Sequence, residues 1–140
     1  MKVAITGAAG HLGAALLQEL FKRNMPVRAL FRDEDIRSCN NLPVDIIYGD
    51  MLQPGVLKSL FQDCDTVIHC AAVISVNGDP SGIVHRTNVE GTRLAIDAAL
   101  TNGIKRFIHI SSIHAFQQQP TFEILDEQRA PVTEKAFAYD

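Results

Sequence analysis

Thr6-Gly7-Ala8-Ala9-Gly10-His11-Leu12-Gly13 stands between the apolar run Lys2-Val3-Ala4-Ile5 and a helical pattern. A strand that must turn at once into a helix over glycines at spacing three leaves few folds open. Gly7 can take the unusual backbone angles of such a turn. Gly10 presents no side chain to a ligand, and Gly13 lets the helix lie close to the strand. The helix opening there aims unpaired N–H groups and its positive dipole end at the turn, so the site suits a pyrophosphate. The dinucleotide fingerprint G-x-G-x-x-G is incomplete, because Ala8 stands where its first glycine belongs. A Gly-rich turn with no ligand is the alternative.

The rest of the chain alternates strand and helix patterns. Strands are expected at 2–6, Val27–Phe31, Asp45–Tyr48, Thr66–His69 and Arg106–Ile110. Leu12, Ala15, Leu16, Leu17 and Leu20 predict one apolar helix face ending near Arg23-Asn24. Pro54 suits a first helical turn ahead of the stripe Val56, Leu57, Leu60 and Phe61. A long helix is expected from about Pro80 to Asn102, stopped by Gly103. Short apolar strands separated by helices predict an α/β fold: a doubly wound parallel sheet of the Rossmann type, ordered 3-2-1-4-5, truncated after the fifth strand. Residues 1–112 read as a dinucleotide-binding core. Residues 113–140, with Gln117-Gln118-Gln119-Pro120 and Pro131, read as an irregular active-site segment.

A formal charge of −3 over 140 residues supplies no basic footprint for nucleic acid or an acidic membrane. No apolar stretch approaches the roughly 20 residues of a membrane span. Met1 enters a strand without a signal-like segment, so a cytoplasmic protein is expected. Cys39, Cys64 and Cys70 have no C-x-x-C spacing, which favours reduced thiols over a structural metal. His69, His85, His109 and His114 share no metal-ligand spacing and read as strand or surface residues. Cys70 reads as a small core residue, and Lys105 with Arg106 as the solvated start of the fifth strand.

Ligands of such sheets bind beyond the carboxyl ends of the strands. The acidic residue that would hold an adenosine ribose at the end of the second strand is missing, and Arg32 follows Phe31 there. A guanidinium donates two charge-assisted bonds to a 2′-phosphate that a carboxylate would repel, which predicts NADP over NAD. An exposed ion pair of Arg32 with Asp33 or Glu34 is the bland alternative. Asp50 can accept from an adenine amino group or cap the following helix. The small side chains of Cys70-Ala71-Ala72 leave room for a nucleotide against the backbone.

Taken in order, Thr6-Gly7-x-x-Gly10-x-x-Gly13, Gly49-Asp50, His69-Cys70-Ala71-Ala72, Asn88-Val89-Glu90-Gly91-Thr92 and Ser111-Ser112 resemble the extended short-chain dehydrogenase/reductase superfamily. This superfamily includes the NAD(P)-dependent epimerases and dehydratases. Val27-Arg28-Ala29-Leu30-Phe31-Arg32-Asp33 is similar to its dihydroflavonol reductase-like branch. The resemblance implies that Gly7, Gly10, His11 and Leu12 contact the pyrophosphate, Arg32 the 2′-phosphate, and Asp50 with Met51 the adenine. Ala71 and Ala72 would line the ribose and nicotinamide side. It also implies a Ser or Thr, a Tyr, and a Lys four residues after the Tyr. Ser112, with Ser111 as the lesser candidate, would orient a substrate carbonyl. Asn88 would support a proton relay, a solvated helix residue being its plain alternative. Tyr139 would be the proton donor, and a phenol titrating near 10 needs a neighbouring cation for that work.

The sequence ends at Asp140, before the position of that Lys; Lys135 precedes Tyr139 by four residues and is a weak substitute. The chain therefore reads as an inactive N-terminal portion of an NADP-dependent reductase of a small carbonyl or hydroxyl compound, without the C-terminal substrate-binding part. The alternatives are a non-catalytic dinucleotide-binding or sensing protein, an NAD-dependent sugar-nucleotide epimerase or dehydratase, and a Rossmann-like fold with no nucleotide. Ile83, Val84, Leu94, Ala95 and Ala98 of the long helix are expected to be partly bare and to favour a homodimer.

Overall fold

The computed structural model describes residues 1–32, 43–76, 78–122 and 124–132. Its element order is β1 (Val3–Thr6), α1 (His11–Lys22), β2 (Val27–Phe31), β3 (Asp45–Tyr48), α2 (Val56–Phe61), β4 (Thr66–His69), α3 (Ile83–His85), α4 (Gly91–Thr101) and β5 (Arg106–His109). The strands form one parallel sheet ordered β3-β2-β1-β4-β5, as the alternation predicts. Parallel strands need crossover connections, and the helices of those crossovers cover both faces.

Period-2 alternation sorts the core into two layers. Val3 and Ile5 face α1 together with Leu17, Leu20, Val27, Ala29 and Phe31. Ala4, Leu30 and Val67 pack instead with Leu57, Leu60, Phe61, Ala95 and Ala99 from α2 and α4. The face expected for the first helix is only partly right. Gly13, Leu17 and Leu20 are buried, whereas Leu12 and Ala15 are exposed. The helix leans on the sheet through Gly13: a Cβ there would overlap the carbonyl oxygen of Gly7, so the packing face turns toward the glycine.

Other expectations need correction. Pro54 is not in the first turn of α2, which starts at Val56 behind Gly55 in the left-handed region (φ 84°). The long helix is continuous in trace but not uniformly α. A π-helical turn at Arg86–Glu90 separates α3 from α4, and Gly103 (φ 66°) follows its end. Of the residues expected to be partly bare, Ala95 is fully buried, Leu94 and Ala98 are half-buried against the core, Val84 is half-buried and Ile83 is exposed. The exposed apolar residues of this stretch are Ile83, Val89, Ile96 and Leu100, the last 75% exposed. The reason is the sheet itself, since the i, i+4 row through Ala95 and Ala99 contacts it.

Beyond β5 the described residues are irregular, apart from a 3-10 turn at Ile113–Ala115 and a single bridge between Phe116 and Pro131. Two backbone hydrogen bonds close this loop at its base, the Gln117 amide donating to the Ala130 carbonyl and the Val132 amide to the Ala115 carbonyl. No helix among the described residues is long and apolar enough to cross a membrane. Cys64 is buried and Cys70 half-buried, both as free thiols, and Cys39 lies outside the described residues. Lys105 is exposed as expected but paired, its Nζ 2.8 Å from Asp65 Oδ1.

Candidate functional site

A cleft crosses the carboxyl ends of β1, β2 and β4. Its first lobe, about 340 Å³, is lined by Gly7, Gly10, Leu30, Arg32, Asp50 and Met51 among others. Its second lobe is lined by Asn88, Thr92, His109, Ser111, Ser112 and further residues. The two share Ala71, Ala72 and Val73. Such a cleft lies at the topological switch point, where the chain runs to opposite sides of the first strand.

The glycine turn is built for close approach. Gly7 has φ 69°, and a Cβ there would stand 2.6 Å from the Ala71 amide nitrogen, so only glycine fits between β1 and the chain leaving β4. A Cβ on Gly10 would meet just one neighbour, the Gly7 carbonyl oxygen at 3.2 Å, leaving its other sides open. Gly10 is the N-cap of α1 and offers no side-chain cap, and the first turn carries no acidic residue. The start of a twelve-residue helix thus has neither a side-chain cap nor an acidic residue in its own first turn, which suits a phosphate. His11 and Leu12 are the first exposed residues of that helix and are not among the cleft-lining residues.

Arg32 follows β2 at the cleft and is exposed, and Asp33 and Glu34 lie outside the described residues. Asp50 Oδ1 accepts from the Leu52 amide at 2.8 Å. It therefore caps the turn of residues 51–53 rather than α2, whose N-cap is Gly55. Met51 is buried at the floor of the first lobe beside Leu30.

In the second lobe Ser112 Oγ accepts from the His114 amide at 3.2 Å. A hydroxyl that accepts in this way keeps its own hydrogen for a further acceptor. Asn88 is not a solvated helix residue. Its Nδ2 donates to the Val73 carbonyl at 3.0 Å and its Oδ1 accepts from the Val73 amide at 2.8 Å, pinning the chain that leaves β4. Tyr139 and Lys135 lie outside the described residues.

His69, at the end of β4, was not separable by sequence from an ordinary strand histidine. It is fully buried against the second lobe, between Thr6 and Thr92, with Nδ1 2.7 Å from Thr6 Oγ1 and Nε2 3.1 Å from Thr92 Oγ1. Burial, then the facing His109, pushes its pKa down to about 4. Burial also raises the Cys70 thiol above its ordinary range, so at neutral pH it is a thiol and not a thiolate. Leu30, Val73, Ile83 and Thr87 also line the first lobe. No sequence motif marks them, since strand register and the helix crossover bring them there.

The profile of the NAD dependent epimerase/dehydratase family matches residues 3–140. Sterol demethylase protein B of Methylococcus capsulatus is 32% identical over 121 residues, covering 86% of this chain and 37% of that protein. The 4-hydroxy-2-methyl-3-oxo-4-farnesyl-3,4-dihydroquinoline-1-oxide ketoreductase of Stigmatella aurantiaca is 32% identical over 139 residues, covering 99% and 41%. Among solved structures, a UDP-glucuronic acid 4-epimerase from Bacillus cereus in complex with NAD superposes with a TM-score of 0.77. It is 28% identical, covering 94% of this chain and 46% of that one. The chain thus spans about two fifths of the length of these curated relatives.

Proposed function

The chain belongs to the NAD dependent epimerase/dehydratase family, and from that premise we propose that it is the coenzyme-binding half of an NADP-dependent reductase acting on a small carbonyl or hydroxyl compound. The carrying observation is the cleft itself. Its first lobe is lined both by Gly10, the N-cap of α1 with no side-chain cap, and by Arg32, which supports a reading in which the phosphates of a dinucleotide lie there. Gly7 and Gly10, with the amides of His11 and Leu12, would hold the pyrophosphate. Arg32 would bind the 2′-phosphate, Asp50 and Met51 the adenine, and Ala71 and Ala72 the ribose and nicotinamide side. When bound, the nicotinamide supplies or accepts a hydride.

In the second lobe Ser112 would present its hydroxyl hydrogen to the substrate oxygen, held in orientation by the His114 amide. Asn88 would keep the Val73 wall in place beneath the reacting groups. Tyr139 would deliver the proton. A relative named as a ketoreductase supports reductase over epimerase chemistry, while the NAD-bound 4-epimerase keeps that second reading open.

Calorimetric titration of the 140-residue chain with NADPH and NADH tests the proposal. Both should bind, NADPH at least several-fold more tightly. No heat from either at millimolar coenzyme would overturn the coenzyme site, and equal affinities would overturn the assignment of Arg32.

A further inference from the structure

Along the cleft runs a chain of polar groups in which Thr6 and His69 are buried while Thr92 and Asn88 are half-buried and line the second lobe. The Thr6 hydroxyl oxygen accepts from the Ala71 amide at 3.3 Å and stands 2.7 Å from His69 Nδ1. His69 Nε2 stands 3.1 Å from the Thr92 hydroxyl, which donates to the Asn88 carbonyl oxygen at 2.6 Å. One arrangement of hydrogens satisfies every member. A carbonyl only accepts, so Thr92 spends its hydrogen on Asn88 and takes one from His69 Nε2–H. Nδ1 is then the acceptor and receives the Thr6 hydroxyl hydrogen, leaving the Thr6 oxygen for Ala71.

Both ends of the chain reach the cleft. Ala71 lines both lobes, and so does Val73, which the Asn88 carboxamide grips through its amide and its carbonyl. Asn88 sits in the π-helical turn, a local geometry that needs such support and recurs at functional sites. We propose that His69 is a positioning residue for the coenzyme cleft: as a neutral Nε2–H imidazole it fixes Ala71 through Thr6, and Val73 through Thr92 and Asn88, and so sets the wall that the two lobes share.

The ring is fully buried and is not among the residues lining either lobe, so its influence is conformational. With the chain broken, the binding-competent wall is only part of the population, and the apparent Kd rises by the inverse of that fraction. The inference rests on the coenzyme reading above, and its test separates the two. Thr92→Val removes the hydroxyl while keeping the shape, and Thr92→Ser restores it. One buried hydrogen bond corresponds to a loss of about ten-fold in NADPH affinity for Thr92→Val. Thr92→Ser should return to within about two-fold of the unmodified chain, on the same basis. Imidazole 15N NMR should show His69 as the neutral Nε2–H tautomer, and NADPH should shift its Nε2 resonance.

A purely structural histidine would lower the melting temperature of Thr92→Val and leave both the affinity of the folded protein and the coenzyme-induced shift unchanged. Unchanged affinity, failure of Thr92→Ser to restore it, an Nδ1–H tautomer or no change in the resonance would each overturn the inference while leaving the coenzyme site intact. Absence of NADPH binding to the unmodified chain would overturn both. Should Thr92→Val fail to fold, the tautomer and the coenzyme-induced resonance change of the unmodified chain decide.

Discussion

Acidification should destabilise this fold through His69 before it reaches the carboxylates. The imidazole is fully buried, and its pKa is pushed from the ordinary 6.5 down to about 4, by burial first and by His109 second. In the unfolded chain it titrates near its ordinary value. Between those two values the unfolded state binds a proton that the folded state refuses, so stability falls as pH falls from about 6.5 and levels off near 4. Every pH step of one across that window removes about 1.4 kcal/mol, so the full loss is about 3 kcal/mol, of which about 2 kcal/mol is gone by about pH 5. That is a large share of the stability of an ordinary domain.

The carboxylates act lower. Hydrogen bonds from Lys2 and then Arg28 hold Asp45 below its ordinary 3.8, and the Lys105 contact does the same for Asp65. Their contributions are lost only as pH falls through and below that ordinary value. Urea denaturation at pH 7, 6, 5 and 4.5 measures the slope, with His69→Gln as the non-titrating reference. The unmodified chain should lose about 2 kcal/mol more than the variant between pH 7 and 5. Parallel curves would refute the claim that a neutral imidazole is locked inside the sheet.

Gly13→Ala should destabilise the fold by about 1–3 kcal/mol, because its Cβ would overlap the Gly7 carbonyl and push α1 off the sheet; thermal melts followed by circular dichroism check this, and an unchanged midpoint would contradict the close approach. Arg32→Ala should erase most of the preference for NADPH over NADH while leaving NADH affinity within about two-fold, as read by calorimetry; a preserved preference would place the 2′-phosphate elsewhere. The exposed Val89, Ile96 and Leu100 of the π-helical turn and α4 are expected to pair two copies of the chain. Light scattering at tens of micromolar should then give a dimer that Leu100→Lys converts to monomer, and a monodisperse unmodified monomer would refute it.

Strand order, the two covered faces and the glycine turn were legible in the sequence because each depends on local pattern. Apolar runs of strand length need a cover on both sides, and glycines at Gly7 and Gly13 mark backbone approaches that no Cβ survives. The helix faces were less legible. Periodicity alone put Leu12 and Ala15 on the apolar face, and Ala95 was expected to be partly bare, while contact with the sheet decided otherwise.

What only the tertiary structure decided is the wall of the cleft. His69 sits opposite Thr6 in the β1–β4 register, 63 positions apart in sequence, and meets Thr92 only because the helix crossover returns over β4. Asn88 likewise grips Val73 across a connection whose path no local pattern fixes. Side-chain periodicity records which face a residue takes, and hydrogen-bond partners depend on register and crossover geometry. The glycine turn could therefore be read from eight consecutive residues, whereas the buried imidazole between Thr6 and Thr92 became visible only once the sheet had closed around it.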